Sequence, residues 1–470
     1  MTHEKEAGLP TAGTTRDGRS KLLAGIALSQ LLVALDFSIV YVALPTIGEE
    51  LSFSAVTLQW VVSAYGIFFA GFLLLGGRLV DVFGAGRVFA LAHVLFTVAS
   101  LGAGLAPAAA VLIVCRAVQG AGAALLSPAT LALLHGHYPA GRERDRALAV
   151  WGTTGAAGLA LGVVTGGLIL AVSSWPWIFW INLPVSLTCL GAVGARVLRD
   201  RPVRIARTVG LPGAVMVTAA VSALCLVFTE LALPQPRGPV VLGALGGVAV
   251  VVALFVRTQA RRVDSLVPLA LLRTPGLRGA CVVAALYMAS LGAEFYLVTL
   301  FLQRVRSLDT FAAGVGFLPL ALTITVGNTL AGRLAGSWGP RRLLAAAFGI
   351  GAAGLGLLAL GTGADAYWLG VLPGLLVSGL GQGMAFTGMF IAGTRDLRPE
   401  ANGTGSAMIT AAQYTGGAIG LALLVWLHGP EPDAGGLGLA YVATVVIALL
   451  ALPVIATLRD GAEPRTRDEQ

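Results

Sequence analysis

The sequence predicts an all-α integral membrane protein, and three observations carry that prediction. Hydrophobic residues fill 56% of the 470 positions and charged residues only 11%, where a soluble domain is roughly one-quarter charged. Apolar windows of about 20 residues, the length a helix needs to cross a bilayer, recur fourteen times. The basic residues between them fall almost wholly in alternate loops.

The windows run at about 22–44, 57–77, 88–106, 109–134, 147–172, 177–195, 210–232 and 239–256, then at 279–302, 311–334, 343–362, 367–392, 403–427 and 438–458. Charge placement tests the count. With fourteen crossings both termini share a side, and 27 of the 31 Lys and Arg residues lie there. Arg237, Arg304 and Arg306 fall on the other side, and Arg116 lies inside a window. One misplaced helix would scramble this alternation. The positive-inside rule makes the basic side cytoplasmic, so the net charge of +8 reports topology and asks for no nucleic acid. The expected location is a bacterial inner membrane, multi-pass, with both termini cytoplasmic. The polar residues 1–20 precede an apolar run with no small-residue cleavage site after it, which reads as a retained helix.

The chain also carries a repeat at an offset of 255. Gly77-Arg78-Leu79-Val80-Asp81-Val82-Phe83-Gly84 is followed by Arg87, and Gly332-Arg333-Leu334-Ala335-Gly336-Ser337-Trp338-Gly339 by Arg342. Each follows the second helix of a six-helix block. Such repeats are a sequence signature of secondary transporters, with the substrate site between the halves. The expected layout is a tail (1–20), a first six-helix bundle (21–196), an inserted helix pair with basic linkers (197–278), a second bundle (279–458) and a tail (459–470).

Chemistry concentrates in the first window, where one carboxylate, Asp36, sits in Leu35-Asp36-Phe37-Ser38-Ile39-Val40-Tyr41-Val42-Ala43-Leu44-Pro45. A buried intramembrane acid is costly and usually faces a bundle interior or a water-filled path. With helix one ending near Leu44, a rise of about 1.5 Å per residue places Asp36 about 12 Å below the outer face. The same arithmetic puts Arg116 about 10 Å and Glu294 about 12 Å below it. Buried charges pair or neutralise, so Asp36–Arg116 is the expected pair, with Glu294 a second acid across the cavity. Arg116, Gln119 and Gly120 share one face of helix four at i, i+3 and i+4. A proton-coupled exchanger needs a carboxylate whose protonation competes with substrate, and Asp36 fits. Asp81 follows a helix C-terminus, where an acid opposes the helix dipole and calls for a cation, with Arg87 or Arg142–Arg146 in reach.

These motifs resemble the major facilitator superfamily, and within it the fourteen-helix drug:proton antiporter branch. Leu35-Asp36 through Ala43-Leu44-Pro45 is similar to that branch's first-helix motif. Gly77, Leu79, Asp81, Gly84 and Arg87 are similar to the loop motif after helix two. Arg116-Ala117-Val118-Gln119-Gly120 resembles the fourth-helix arginine motif, and Trp177-Ile178-Phe179-Trp180-Ile181-Asn182-Leu183-Pro184 the sixth-helix signature. The resemblance implies two six-helix bundles with an inserted pair, a proton-transfer role for Arg116, and a gate at Gly77, Asp81, Gly84 and Arg87. In the fifth-helix antiporter motif Gly158, Gly162, Gly166 and Gly167 hold their places, but Val163 occupies the proline position. Pro176 and Ala412 stand where the branch commonly has Arg. The glycines retain a close-packing role; a proline kink is lost.

Other residues read more plainly. His93 is expected to pack between helices; Tyr41, Tyr65, Trp60, Phe68, Phe295 and Tyr296 suit either a promiscuous cavity or the lipid interface. Cys115, Cys189, Cys225 and Cys281 show neither metal spacing nor a disulfide framework. With no Walker motif, no nucleophile–base arrangement and no metal cluster, the chain is expected not to be an enzyme and to use a proton gradient in place of a cofactor. The expected function is export of small hydrophobic or cationic compounds in exchange for protons, one chain sufficing as a monomer among membrane lipids. A nutrient symporter and a non-transporting membrane sensor are the alternatives.

Overall fold

The computed structural model describes residues 16–138, 142–197, 210–233, 235–261, 269–363, 366–398, 401–429 and 434–458. Both tails beyond these limits lie outside the described residues, as do Arg199, Arg201, Arg204, Arg207 and Arg262 of the basic linkers. Every long element is a helix. The first bundle holds α1 (Arg16–Glu50), α2 (Trp60–Phe83), α3 (Ala85–Gly104), α4 (Ala109–His137), α5 (Arg142–Val172) and α6 (Asn182–Val197), the last preceded by a helical turn, Trp177–Trp180. The inserted pair is α7 (Leu211–Leu231) and α8 (Gly238–Arg261). The second bundle holds α9 (Pro275–Ser290), α10 (Glu294–Leu300), α11 (Thr310–Gly316), α12 (Leu318–Gly361), α13 (Leu372–Thr394), α14 (Asn402–His428), α15 (Ala434–Leu449) and α16 (Ala451–Ala456).

Among the described residues eleven stretches are long and apolar enough to cross a membrane. One of them, Thr310–Gly361, is 52 residues long and, broken at Gly339, has the length for two crossings, while α5 and the turn leading into α6 supply two further, shorter apolar segments. Fourteen crossings result.

The sequence repeat is a backbone repeat. Gly84 has φ 88° and ψ 147° and ends α2; Gly339, at the offset of 255, has φ 74° and ψ 161° and breaks α12 before Pro340. Side chains rarely tolerate such positive φ. The same glycine therefore turns the chain at the basic end of both bundles.

Several boundaries depart from the sequence reading, among them the end of α2, which runs on to Phe83 and takes Asp81 into its last turn where it was expected to follow the helix. Helix α1 does not end near Leu44; it continues through Pro45 to Glu50. Proline forfeits one backbone donor but already has helical φ, and the added turn buries Ile47 while exposing Glu49 and Glu50. Asp36 thus lies about 21 Å from the helix end at 1.5 Å per residue, not 12 Å. Crossing nine is not continuous either. At Leu291–Ala293 the helix opens, and the Gly292 N–H reaches back five residues to the Tyr287 carbonyl at 3.0 Å. Single wide turns of this kind re-aim the next helix segment, and the residue re-aimed is Glu294.

Packing separates the units. Helix α1 lies along α5, and α4 fills the space between α2 and α3; in the second bundle α12 folds back on α13 while α9 rests on α14. Helix α7 packs on α8, α2 and α14, burying Val221 and Cys225 against Ile67, Ala418 and Ala422. None of the most apolar window of α8 is buried.

Candidate functional site

Asp36 and Arg116 meet in the middle of the first bundle. Arg116 Nη1 donates to Asp36 Oδ2 at 2.7 Å, and both side chains are essentially without solvent contact. The rest of the shell satisfies what the ion pair leaves over. Asn182 Nδ2 donates to Asp36 Oδ1 at 2.7 Å and Gln119 Nε2 to the same oxygen at 3.3 Å. Arg116 Nε donates to the Val61 carbonyl at 2.9 Å, and a second hydrogen bond from Nη1 reaches Gln119 Oε1 at 3.0 Å. The guanidinium carbon sits 4.5 Å from the Tyr65 ring centroid and 5.9 Å from that of Phe179. A buried pair is tolerated only where such additional bonds offset its desolvation. Ser100 Oγ closes the cluster, accepting from Gln119 at 2.8 Å and Asn182 at 3.3 Å.

Glu294 belongs to a separate cluster in the second bundle. It is fully buried, and α13 supplies its partners: Ser378 Oγ donates to Oε1 at 2.6 Å and Gln382 Nε2 to Oε2 at 2.8 Å. Among the described residues no cation pairs with it. The two acids therefore differ in kind, one held by a guanidinium and one by neutral donors.

Between the clusters, where the bundles meet, lies a cavity of about 20 Å³ bordered by Phe37, Tyr41, Ser63, Met288, Tyr296 and Tyr414. Phe37 follows Asp36 and Ala293, also on the wall, precedes Glu294. Tyr414 crosses from α14 to lie 4.3 Å from Phe69 and 5.6 Å from Phe37, ring to ring. The Ser63 hydroxyl on this wall has no hydrogen-bond partner. A volume of this size holds a water, not a drug, whose pockets run to about 300–1,000 Å³. The site is closed around itself.

What closes it is at the end opposite the basic loops. There Arg304 pairs with Glu49 at 2.9 Å, Gln303 Nε2 donates to the Val42 carbonyl at 3.0 Å, and Gly314 lies against the Val163 carbonyl. All three contacts join first bundle to second. At the basic end Arg87 is exposed, and among the described residues Asp81 has no ion-pair partner; the side chain of Arg142, another cation expected there, lies outside the described residues.

The glycine series of α5 faces α1. A Cβ at Gly158 would meet Ala34 and the Leu31 carbonyl, one at Gly162 the Ser38 hydroxyl and Leu35, and one at Gly166 Ile39. Gly167 instead faces Thr310 and Phe311 of the other bundle. Gly77 has open space around it. Of the aromatic residues singled out in the sequence, Tyr41 and Tyr296 reach the cavity, while Trp60 and Phe68 pack under α7 and Phe295 stacks 5.8 Å from Phe317. Sequence reasoning missed Asn182, Ser100, Ser378, Gln382, Met288 and Tyr414. Asn182 lies in the sixth-helix motif; Ser100, Ser378, Gln382 and Tyr414 carry no signal beyond a polar or aromatic residue within an apolar window, and Met288 carries none.

The fold and the paired buried clusters define a helical membrane transporter built from two bundles. The chain belongs to the Major Facilitator Superfamily, whose family description matches residues 26–421. It is 34% identical over 467 residues to a puromycin resistance protein of Streptomyces alboniger, covering 95% of this chain and 92% of that one. It is 35% identical over 451 residues to a cephamycin export protein of Amycolatopsis lactamdurans, covering 93% and 92%. A lincomycin resistance protein of Streptomyces lincolnensis is 33% identical over 460 residues, covering 95% and 93%. Among solved structures, a bacterial homologue of the human lysosomal transporter Spinster, inward-facing and unoccupied, has the same fold with a TM-score of 0.67, 16% identity, and coverage of 95% of this chain and 98% of that one.

Proposed function

We propose that this protein is a proton-coupled exporter of small hydrophobic or cationic antibiotics, of the fourteen-helix drug:proton antiporter branch, working by alternating access in a bacterial inner membrane with both termini cytoplasmic. The observation that carries this reading is the buried Asp36–Arg116 pair beside an aromatic cavity at the bundle junction. The names of its relatives, which concern resistance to or export of puromycin, cephamycin and lincomycin, supply the substrate class. Fourteen crossings and the inserted pair support the branch.

In this reading a proton on Asp36 neutralises the acid and loosens Arg116, and a drug entering between Phe37, Tyr41 and Tyr414 favours its release. Competition of the two for one site couples their fluxes, because a ligand shifts an equilibrium only by its differential affinity for the two states. Glu294, held by neutral donors, is the second acid and attracts cationic substrates. The motor is the proton gradient, with no organic cofactor or metal, and no bond of the substrate is made or broken.

The test is proton release from purified protein on addition of puromycin, lincomycin or ethidium, with Asp36→Asn as control. Release in the wild type that vanishes in the variant supports antiport through Asp36. Binding without release overturns it in favour of facilitated or symport traffic.

A further inference from the structure

The wall of the junction cavity carries a hydroxyl from each bundle, Ser63 of α2 and Tyr296 of α10. Tyr296 is locked by the residue it reaches. Its Oη lies 3.2 Å from His428 Nε2 at the end of α14, and the two rings stack with centroids 5.9 Å apart. His428 Nδ1 in turn lies 2.7 Å from the Gly429 carbonyl. A carbonyl only accepts, so Nδ1 carries the ring proton, and a neutral imidazole then has a bare Nε2. Tyr296 is therefore the donor of the pair. Its proton is committed to His428, and what remains on its oxygen is lone pairs. Both side chains are buried, so bulk water does not compete for that proton.

Ser63 is 2% exposed, and its hydroxyl has no hydrogen-bond partner. A buried hydroxyl left over is uncommon, and this one borders a space. Around it Phe37 meets Tyr41 and Tyr414 edge-on, with ring centroids 5.6 Å apart in each case. Among the described residues no charged side chain borders the cavity. The nearest acid in sequence is Glu294, next to Ala293 on the wall and without a cation of its own. The volume of about 20 Å³ is that of one water-sized group. An ammonium head, a single nitrogen and its protons, has that size. A trimethylammonium head is several times larger.

We propose, resting on the exporter reading above, that this cavity is a recognition site for a primary ammonium group. Two of its N–H bonds donate to Tyr296 Oη and Ser63 Oγ. Its charge lies against the Phe37, Tyr41 and Tyr414 rings, which attract a cation. His428 is a positioning residue: by accepting the phenol's proton it keeps Tyr296 an acceptor toward an incoming donor. A quaternary cation has no N–H to give and leaves both oxygens unpaired, which is the costly outcome in a buried site. An uncharged ligand forgoes the attraction of the rings. Because the two hydroxyls belong to different bundles, a bound amine bridges the bundle junction.

The test is KM for transport in proteoliposomes of puromycin, which carries a primary amine and is counted as its protonated form, and of its N,N,N-trimethyl derivative. The derivative keeps the charge and the body of the compound but has no N–H. In the wild type the two KM values are expected to differ about tenfold in favour of puromycin, equivalent to about 1.4 kcal/mol. Tyr296→Phe and Ser63→Ala should each bring that ratio down severalfold. His428→Leu should act like Tyr296→Phe, whereas His428→Gln, whose side-chain carbonyl accepts the phenol's proton, keeps the ratio. Ser63→Ala removes no existing hydrogen bond, so it stays informative if a ring variant folds poorly. A wild-type ratio near one overturns the amine site and leaves export standing. A ratio preserved in Tyr296→Phe and Ser63→Ala, with both KM values raised alike, also overturns it and assigns these side chains to packing. Loss of the ratio in His428→Gln overturns the positioning role of His428. A wild type that transports neither compound overturns the export reading and the amine site with it.

Discussion

Arg116 and Asp36 are the two ends of a pair that no other charge on the described chain shares: 2.7 Å apart, buried, and flanked by two amides and two aromatic rings. Removing either end has unequal consequences. Arg116→Ala leaves a carboxylate buried with only the Asn182 and Gln119 amides and is expected to cost about 3–5 kcal/mol of stability. Asp36→Asn leaves a guanidinium that retains its bonds to the Val61 carbonyl and Gln119, so its cost is smaller. Thermal unfolding in detergent should rank Arg116→Ala well below Asp36→Asn, while both abolish gradient-driven transport. The reverse ranking would show that the pair is not what anchors this shell.

Glu294 is held by hydroxyl and amide donors, which serve a neutral side chain nearly as well as a charged one once Gln382 turns its own amide. Glu294→Gln should therefore change stability by less than about 1.5 kcal/mol, the scale of one net hydrogen bond. Export of ethidium should fall at least severalfold while that of an uncharged compound is little affected. Parallel kinetics of a cationic and a neutral substrate decide it; equal losses would remove Glu294 from substrate selection.

The glycines of α5 and of the basic end of α2 invite opposite outcomes from one chemical change. Gly162→Ala drives a methyl into Ser38 and the Leu35 backbone and is expected to destabilise by about 1–3 kcal/mol. Gly77→Ala meets open space, so its stability should stay within about 1 kcal/mol of wild type on helix propensity alone. Transport lost in a stable Gly77→Ala protein then reports on movement of this end of α2 rather than on folding. Melting temperatures of the two variants, measured side by side, are the check.

Arg304 and Glu49 latch the bundles at the end opposite the basic loops but are partly exposed, at 44% and 66% of the side chain. Exposed pairs contribute about 0–1 kcal/mol. Arg304→Gln is thus expected to shift the inward–outward balance a few-fold without blocking transport. Spin-label distances across that end should broaden toward longer values; an unchanged distribution would show that Gln303 and the α5–α11 contact hold the closure unaided.

The residues differ in how far sequence alone placed them. Charge in an apolar window is loud, so Asp36, Arg116 and Glu294 were all legible, and the first two were paired although the end of α1 was misplaced by six residues. The register survived because α1 overshoots the apolar layer while Asp36 stays within it. The partners of these charges were quieter. Asn182, Ser378 and Gln382 reach across from other helices, and an uncharged polar residue in a membrane span has many possible neighbours. His93, expected to pack between helices, does so, held by Ser29 of α1 and Ser186 of α6, 64 and 93 positions away. The repeat announced the turn that Gly84 and Gly339 make, since positive φ leaves a residue signature.

Helix α7 touches α2 and α14 together, which sets a boundary on how compounds dissolved in the lipid reach the centre. Each lateral seam between two rocking bundles is a potential doorway from the hydrocarbon, and the inserted pair shutters the one along α2 and α14. The α5–α11 seam, where Gly167 and Gly314 bring backbones together, has no comparable shutter among the described residues. The α2–α14 seam is thus covered by a further helix pair, while the α5–α11 seam is held by its own backbone contact alone. The insertion makes an approximately two-fold machine one-sided toward its membrane.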